Sequence, residues 1–415
     1  MEQKLFTKNF TLLVLGQASS LFGNGILRLA LSMHVLEVTG SAAVFAGILS
    51  IAAIPTILLS PVGGILADRA DRRSVMAALD TLTGMAVLCG AAFMSGSNAV
   101  TVISVLLVIL SVLGAFETPT VQACIPQMLT GHNIIKGNAV VNQVASVSYL
   151  AAPLLGGILY AAAGLKPVMY ASVVCFFITA LFECFIKLGA SVRDFNGNML
   201  FMIKNDLSDS IGFITKEQPD IMKLLLLAAF SRFFVMGVTL VGLPFIVRTV
   251  LGLDAKFYGG AESGLAVATI LGSIAAGLLT RKLRTGRLPY VLAAMGVCII
   301  LAGAVFRFFH GALVKYAVIL ASFCGMQGAI SIFSIFAVSM IQQNTPNELI
   351  GKIMAYTSAV TMCAQPAGQM VYGCLFDRFR GSVYLVLIPS GVAVCFMGLL
   401  ATGFFRKLEE RQEAQ

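Results

Sequence analysis

The stretch Gly64-Ile65-Leu66-Ala67-Asp68-Arg69-Ala70-Asp71-Arg72-Arg73 carries five charged side chains in its last six residues. Apolar runs at 42–66 and 75–95 flank it. Each is close to the roughly 20 residues that a helix needs to cross the hydrocarbon core of a bilayer. Two such runs, separated by so short a charged segment, read as two membrane spans and the loop that joins them.

The same pattern recurs outward in both directions. Apolar runs lie near 10–36, 42–66, 75–95, 100–121, 138–162, 168–187, 222–247, 257–280, 288–309, 314–340, 350–375 and 383–404. Helices are expected throughout, because a segment in lipid must pair its own amides. The alternating strands of about 10 residues that build an outer-membrane barrel are absent. Hydrophobic residues make up 58% of the 415 and charged residues 11%, against about 25% charged in a soluble domain. The mean hydropathy of +0.92 agrees. The start, Met1-Glu2-Gln3-Lys4, leads into an apolar run longer than the roughly 7–15 residues of a signal h-region, so no cleaved signal is expected. The expected fold is an all-α integral membrane protein of twelve transmembrane helices.

Charge gives these spans a direction. Of 28 Lys and Arg, nineteen fall on the side of the two termini and seven on the other, while Arg28 and Arg232 lie within spans. The positive-inside rule then places both termini in the cytoplasm of a plasma (inner) membrane protein. The excess of basic residues is thus topological and does not point to nucleic acid. The longest polar stretch, 188–221, is read as a cytoplasmic linker between an N-terminal bundle, 1–187, and a C-terminal bundle, 222–415.

An enzyme is not expected. His34, His132 and His310 stand at scattered span ends, with no metal or triad spacing. The nine cysteines form no CxxC and read as small apolar packing residues. No phosphate-cradling loop of the G-x-x-x-x-G-K-[ST] type is present, so ATP does not drive the molecule directly. Neither a cofactor nor a metal is implied.

The halves echo each other. Gly64 precedes the basic loop 68–73, and Gly277 stands in the same place before Arg281-Lys282-Leu283-Arg284. Ala152-Pro153 is followed by Gly156-Gly157, and Gln365-Pro366 by Gly368 and Gln369. Both landmarks, 64 to 277 and 153 to 366, share an offset of 213 residues.

The 64–73 stretch resembles the loop 2–3 signature of the major facilitator superfamily, G-x-x-x-D-R/K-x-G-R-R/K, with Asp71 where that pattern has Gly. Its DR-x-DRR form is similar to the macrolide-efflux and enterobactin-exporter type branch. So are Gly16-Gln17-Ala18-Ser19-Ser20-Leu21-Phe22-Gly23-Asn24, Thr39-Gly40-Ser41 and Phe116-Glu117-Thr118-Pro119-Thr120. The resemblance implies two six-helix repeats about a mid-membrane substrate site, and a monomer surrounded by lipid. It implies a secondary transporter that exports small organic molecules, drug, macrolide or siderophore-like, on the proton gradient. A lipid or lysophospholipid flippase of the same fold and a non-transporting receptor are the other readings.

The resemblance also assigns a gating motif to Gly64, Asp68, Arg69, Arg72 and Arg73, in which Asp68 and its guanidinium neighbours latch the halves at the cytoplasmic side. Charged hydrogen bonds in a half-dehydrated headgroup region are strong enough to do so. Ala139, Ser148, Ala152, Pro153, Gly156 and Gly157 match the spacing of the superfamily's antiporter motif, with small residues in place of three glycines; tight helix packing is the other reading of them.

Polar residues in hydrocarbon should face a cavity or one another. Gln17, Ser20, Asn24 and Arg28 fall on one face of span one. Asn138, Asn142 and Ser146 do so in span five, Gln327, Ser331 and Ser334 in span ten, and Thr361, Gln365, Gln369 and Tyr372 in span eleven. The substrate-cavity candidates are Gln17, Asn24, Arg28, Asn142, Arg232, Gln327, Gln365 and Gln369, with helix–helix hydrogen bonding as the alternative for each. Arg232, near the middle of span seven, needs a partner: substrate, Glu117, Glu262 or Asp80. Arg28 can snorkel outward. Glu117 and Asp80, both placed toward the cytoplasmic ends of their spans, are the proton-coupling candidates, with a structural ion pair as the other reading.

If Asp68 is the latch, Asp68→Asn abolishes transport at unchanged expression, as measured by efflux from cells matched for membrane-inserted protein. Full transport by that variant removes the latch.

Overall fold

A computed structural model of the chain describes residues 5–188, 218–279, 284–346 and 349–413. The linker read at 188–221 lies almost wholly outside them. Twelve long helices account for the predicted spans: α1 Lys8–Thr39, α2 Ala42–Arg69, α3 Arg72–Phe93, α4 Ala99–Met128, α5 His132–Ala163, α6 Leu165–Cys184, α7 beginning Pro219–Met236, α8 Ala255–Leu279, α9 Leu288–Phe308, α10 Ala312–Gln343, α11 Ile350–Arg378 and α12 Tyr384–Glu413. Eleven are long and apolar enough to cross a membrane. The twelfth, α11, falls short because Gln365, Gln369 and several hydroxyl side chains dilute its apolar surface. The fold is the all-helical membrane architecture expected of two six-helix pseudo-repeats.

Most helices outrun their apolar runs, because polar residues at the ends add turns and caps. Thr7 caps α1, its hydroxyl accepting from the Phe10 amide at 3.3 Å. Gly40 follows in the left-handed region, φ 58°, where a side chain would be strained, and turns the chain sharply into α2. Asp71 caps α3, accepting from the amide and hydroxyl of Ser74. That explains the departure from glycine there: its extended backbone, φ −64°, needs no glycine, and the carboxylate serves the helix start.

α7 departs from a simple span. After Met236 it continues as two π-helical turns, Gly237–Gly242 and Ile246–Val250, on either side of a short α turn, Leu243–Phe245. Pro244 lacks the amide that an α ladder needs, which favours a shifted register. A Cβ on Gly237 would run into the Tyr372 ring and one on Gly242 would lie 2.7 Å from the Phe376 ring, so aromatic side chains of α11 fill the space at both glycines.

The helices group into two compact units. The first holds the described parts of 1–40, 48–195 and 253–263, the second those of 41–47, 196–252 and 264–415. The first turns of α8 therefore pack with α1–α6, and the first turns of α2 with α7–α12. In the first unit α5 has two contact faces. Ala152 meets Gly25 and Gly156 meets Ile26 of α1, whereas Gly157 faces Ala255 and Gly259 of α8. Ser263 of α8 donates to the Leu150 carbonyl of α5 at 2.6 Å. In the second unit α11 repeats the scheme, with Gly368 against Phe233 of α7 and Gly373 against Ala42 and Ala46 of α2. There Asp377 accepts from the Ser41 hydroxyl and the Ala42 and Ala43 amides at 2.5, 2.6 and 3.0 Å, capping α2.

α1 and α6 approach most tightly at Gly23, where a Cβ would sit 2.7 Å from that of Cys175. Gly23→Val should therefore destabilise the protein by about 1–3 kcal/mol, the usual cost of overpacking. A thermal melt of the purified protein checks this, and an unchanged midpoint contradicts it.

Candidate functional site

Three carboxyl groups converge in the first unit. Asp80 lies nine residues into α3, Glu117 eleven residues before the end of α4, and Glu183 one residue from the end of α6. Asp80 and Glu183 are each 1% exposed, and Glu117 is half-buried. Ser20 of α1 joins them, its hydroxyl 3.0 Å from Asp80 Oδ1 and 3.2 Å from Glu117 Oε1. Glu183 interacts electrostatically with both acids and lies within side-chain reach of Asp80. Asp80 Oδ2 and Glu183 Oε2 are buried oxygens with no hydrogen-bond donor.

Helix packing makes this convergence. Gly16 and Gly23 bring α1 against α6, where Ser19 donates to the Cys175 carbonyl at 2.9 Å and Thr179 to the Gly16 carbonyl at 3.0 Å. That contact turns the next position of the α1 stripe, Ser20, toward α3 and α4. The helices that carry Asp80 and Glu117 extend beyond the predicted runs, α3 starting at Arg72 and α4 ending at Met128.

The chemistry of the cluster is constrained by donor counting. A serine hydroxyl has one hydrogen to give and two lone pairs with which to accept. Ser20 can therefore donate to Asp80 or to Glu117, but not to both. The second carboxyl completes its bond only when protonated, by donating to the Ser20 oxygen. Asp80 and Glu183 pose the same choice, because two carboxylates make no hydrogen bond to each other until one carries a proton. By its donor set the arrangement has room for a proton shared between neighbouring carboxyl groups.

Glu183 escaped the sequence reading, although the apolar run 168–187 contains it. Its signal was present: Ser172, Thr179 and Glu183 share one face of α6 at helical spacing. Asp377 was missed likewise, at the end of α11.

The other sequence-predicted residues are distributed as follows. Gln17 is buried, its side-chain amide nitrogen lacking an acceptor, and Gln369 is buried within the second unit. Asn24, Arg28, Asn142 and Arg232 are exposed, and Gln327 and Gln365 half-buried. Arg232 is near Gln365, Nη2 to Oε1 3.5 Å. Glu262, considered above as a partner for Arg232, instead bonds to Tyr258 and feels the charge of Arg28. Arg28 thus lies beside an acid and a phenol as well as being exposed. In the gating motif, Arg72 donates to the Ala123 carbonyl of α4 at 2.8 Å and Arg73 to the Cys184 carbonyl of α6. These bonds tie the start of α3 to two neighbours in its own unit. The surroundings of Gly64 and the side chains of Asp68 and Arg69 lie outside what the structure describes.

Comparison with known proteins places this geometry. The Major Facilitator Superfamily profile matches residues 13–368. Macrolide efflux protein A of Streptococcus pyogenes is 23% identical over 398 residues, covering 92% of each chain. The protein of the same name from Enterococcus faecalis is 23% identical over 332 residues, 76% of this chain and 95% of the relative. Among solved structures, a bacterial homologue of the iron transporter ferroportin in its inward-facing state superimposes with a TM-score of 0.76 at 18% identity, covering 96% of this chain and 98% of that one. The nucleoside transporter NupG does so with a TM-score of 0.74 at 12% identity, covering 95% and 99%. With a profile spanning most of its length and transporter folds matched nearly end to end, the chain belongs to the Major Facilitator Superfamily of membrane transporters.

Proposed function

We propose that this protein exports small amphipathic organic molecules, of the macrolide or siderophore kind, in exchange for protons. The bundles 1–187 and 222–415, joined by 188–221, rock in alternating access, with both termini in the cytoplasm. The observation that carries the reading is the Ser20, Asp80, Glu117 and Glu183 cluster. An ionised Asp at the centre of a membrane helix costs about 2.5–3.5 kcal/mol, and carboxylates sharing one site repel one another as well. A single proton relieves much of both costs. A change of helix packing that admits water favours its release. That is the behaviour a coupling site needs.

Three further features support export. The efflux proteins named above align over most of their length. The Ala152, Pro153, Gly156 and Gly157 segment of α5 matches the antiporter spacing, and its Gly157 forms the close contact to α8 that rocking of the two bundles would have to break. The biased Lys and Arg count gives the cytoplasmic orientation. In the second unit Arg232 lies beside Gln365, and a cation next to an amide suits an amphipathic molecule with polar edges.

Proteoliposomes test the coupling. An imposed pH gradient should drive macrolide or dye movement in the wild type. Glu117→Gln and Asp80→Asn should lose the response by roughly tenfold or more, the effect of about 1.4 kcal/mol on a barrier. Substrate binding by the same variants should persist. Gradient-driven transport by Glu117→Gln at the wild-type rate removes that carboxyl from the mechanism. Flipping of a labelled phospholipid in place of macrolide transport overturns the substrate class.

A second expectation concerns Ser20. Replacing it by Ala removes the shared hydroxyl but no charge, so transport should survive with a displaced pH profile. An unchanged profile in initial-rate measurements contradicts the shared-hydroxyl geometry.

A further inference from the structure

A groove of about 690 Å³ runs between α8, α9 and α10 in the second unit. Its size falls within the range of ligand pockets, about 300–1,000 Å³. Its origin is a backbone crossing. α8 and α10 meet at Gly272 and Gly328, where a Cβ on Gly272 would lie 2.8 Å from the Gly328 carbonyl oxygen. Helices that touch there leave a furrow beside the contact, and small residues such as Ala294 and Gly325 do not fill it. The walls are almost wholly apolar, while one end carries Arg287, in the turn before α9, and the exposed phenol of Tyr290. In the sequence Arg287 closes a run of four cations with Arg281, Lys282 and Arg284.

We propose that this groove seats an acyl chain of an anionic membrane phospholipid, with the phosphate held by Arg287 and Tyr290. An apolar furrow suits a hydrocarbon tail, and a guanidinium at its end supplies the charge that an anionic headgroup complements. Tyr290 belongs at the headgroup level, where amphipathic rings collect. Basic pockets between helices on the cytoplasmic side are suited to such headgroups. The depth assignment rests on the orientation proposed above. A second groove, between α7 and α12, is less suited, because its cation, Lys223, is held by Asp220 at 3.0 Å and lies over the Phe404 ring.

Native mass spectrometry of the full-length protein, released from nanodiscs of matched phosphatidylglycerol and phosphatidylcholine, tests the site. The wild type should retain phosphatidylglycerol about fivefold over phosphatidylcholine, the selectivity of one cation at a membrane surface. Arg287→Gln should lower that ratio to near one. Ala294→Phe, which fills the furrow from an exposed position, should lower retention of both lipids. Equal retention of the two lipids by the wild type, or wild-type retention by both variants, overturns the proposal. So does one-for-one displacement of the lipid by a macrolide, which assigns the groove to transported substrate. The measurement depends on neither the direction of transport nor its coupling, so a negative result here leaves the export reading standing, and failure of export leaves the lipid site standing.

Discussion

α1 can sit at the centre of its unit only because it is thin on several sides. Gly16 and Gly23 admit α6, and Gly25 and the Ile26 backbone admit Ala152 and Gly156 of α5. In lipid there is little hydrophobic gain from bringing two apolar helices together, so close van der Waals packing must hold them. Interhelical hydrogen bonds such as those of Ser19 and Thr179 are worth about 0.6 kcal/mol each. A single overpacked contact costs more than that. Packing at the glycines thus decides where the helices lie, and the hydroxyls follow.

The carboxyl cluster depends on that arrangement. Asp80 and Glu117, from two helices, meet at one hydroxyl on a third, and Glu183 of α6 joins them beside Asp80. With α1 pushed outward by a single larger side chain, Ser20 would no longer reach both acids. The site is therefore sensitive to residues that touch no proton. The same logic governs the second unit, where glycines of α7 and α11 face aromatic rings and backbone, and Asp377 caps the first turn of α2. The two units solve one packing problem twice, as the 213-residue offset between their landmarks implied.

Some features were legible in the chain and some were not, for identifiable reasons. The DR-x-DRR loop and the span count followed from runs of residues. Asp71, read as the branch form of the loop motif, is also a helix cap. Glu183, inside the run 168–187, was given no role and is among the most buried acids. Arg232 was given three acidic partners and has Gln365 beside it, while Glu262 sits with Tyr258 and near Arg28. Each of these differences concerns which face of a helix meets which neighbour.

The amino-acid order alone settled the solvent, the helical form of the spans, their approximate number and their duplication. These depend on how apolar a run is, a property of each segment taken singly. It could not settle which acids meet, because these helices are apolar nearly all the way round and their rotation is not written in a polar stripe. Rotation and depth are fixed by pairwise contacts between residues as far apart as Gly23 and Cys175. Ser20, Asp80, Glu117 and Glu183 became one site only when those contacts had formed.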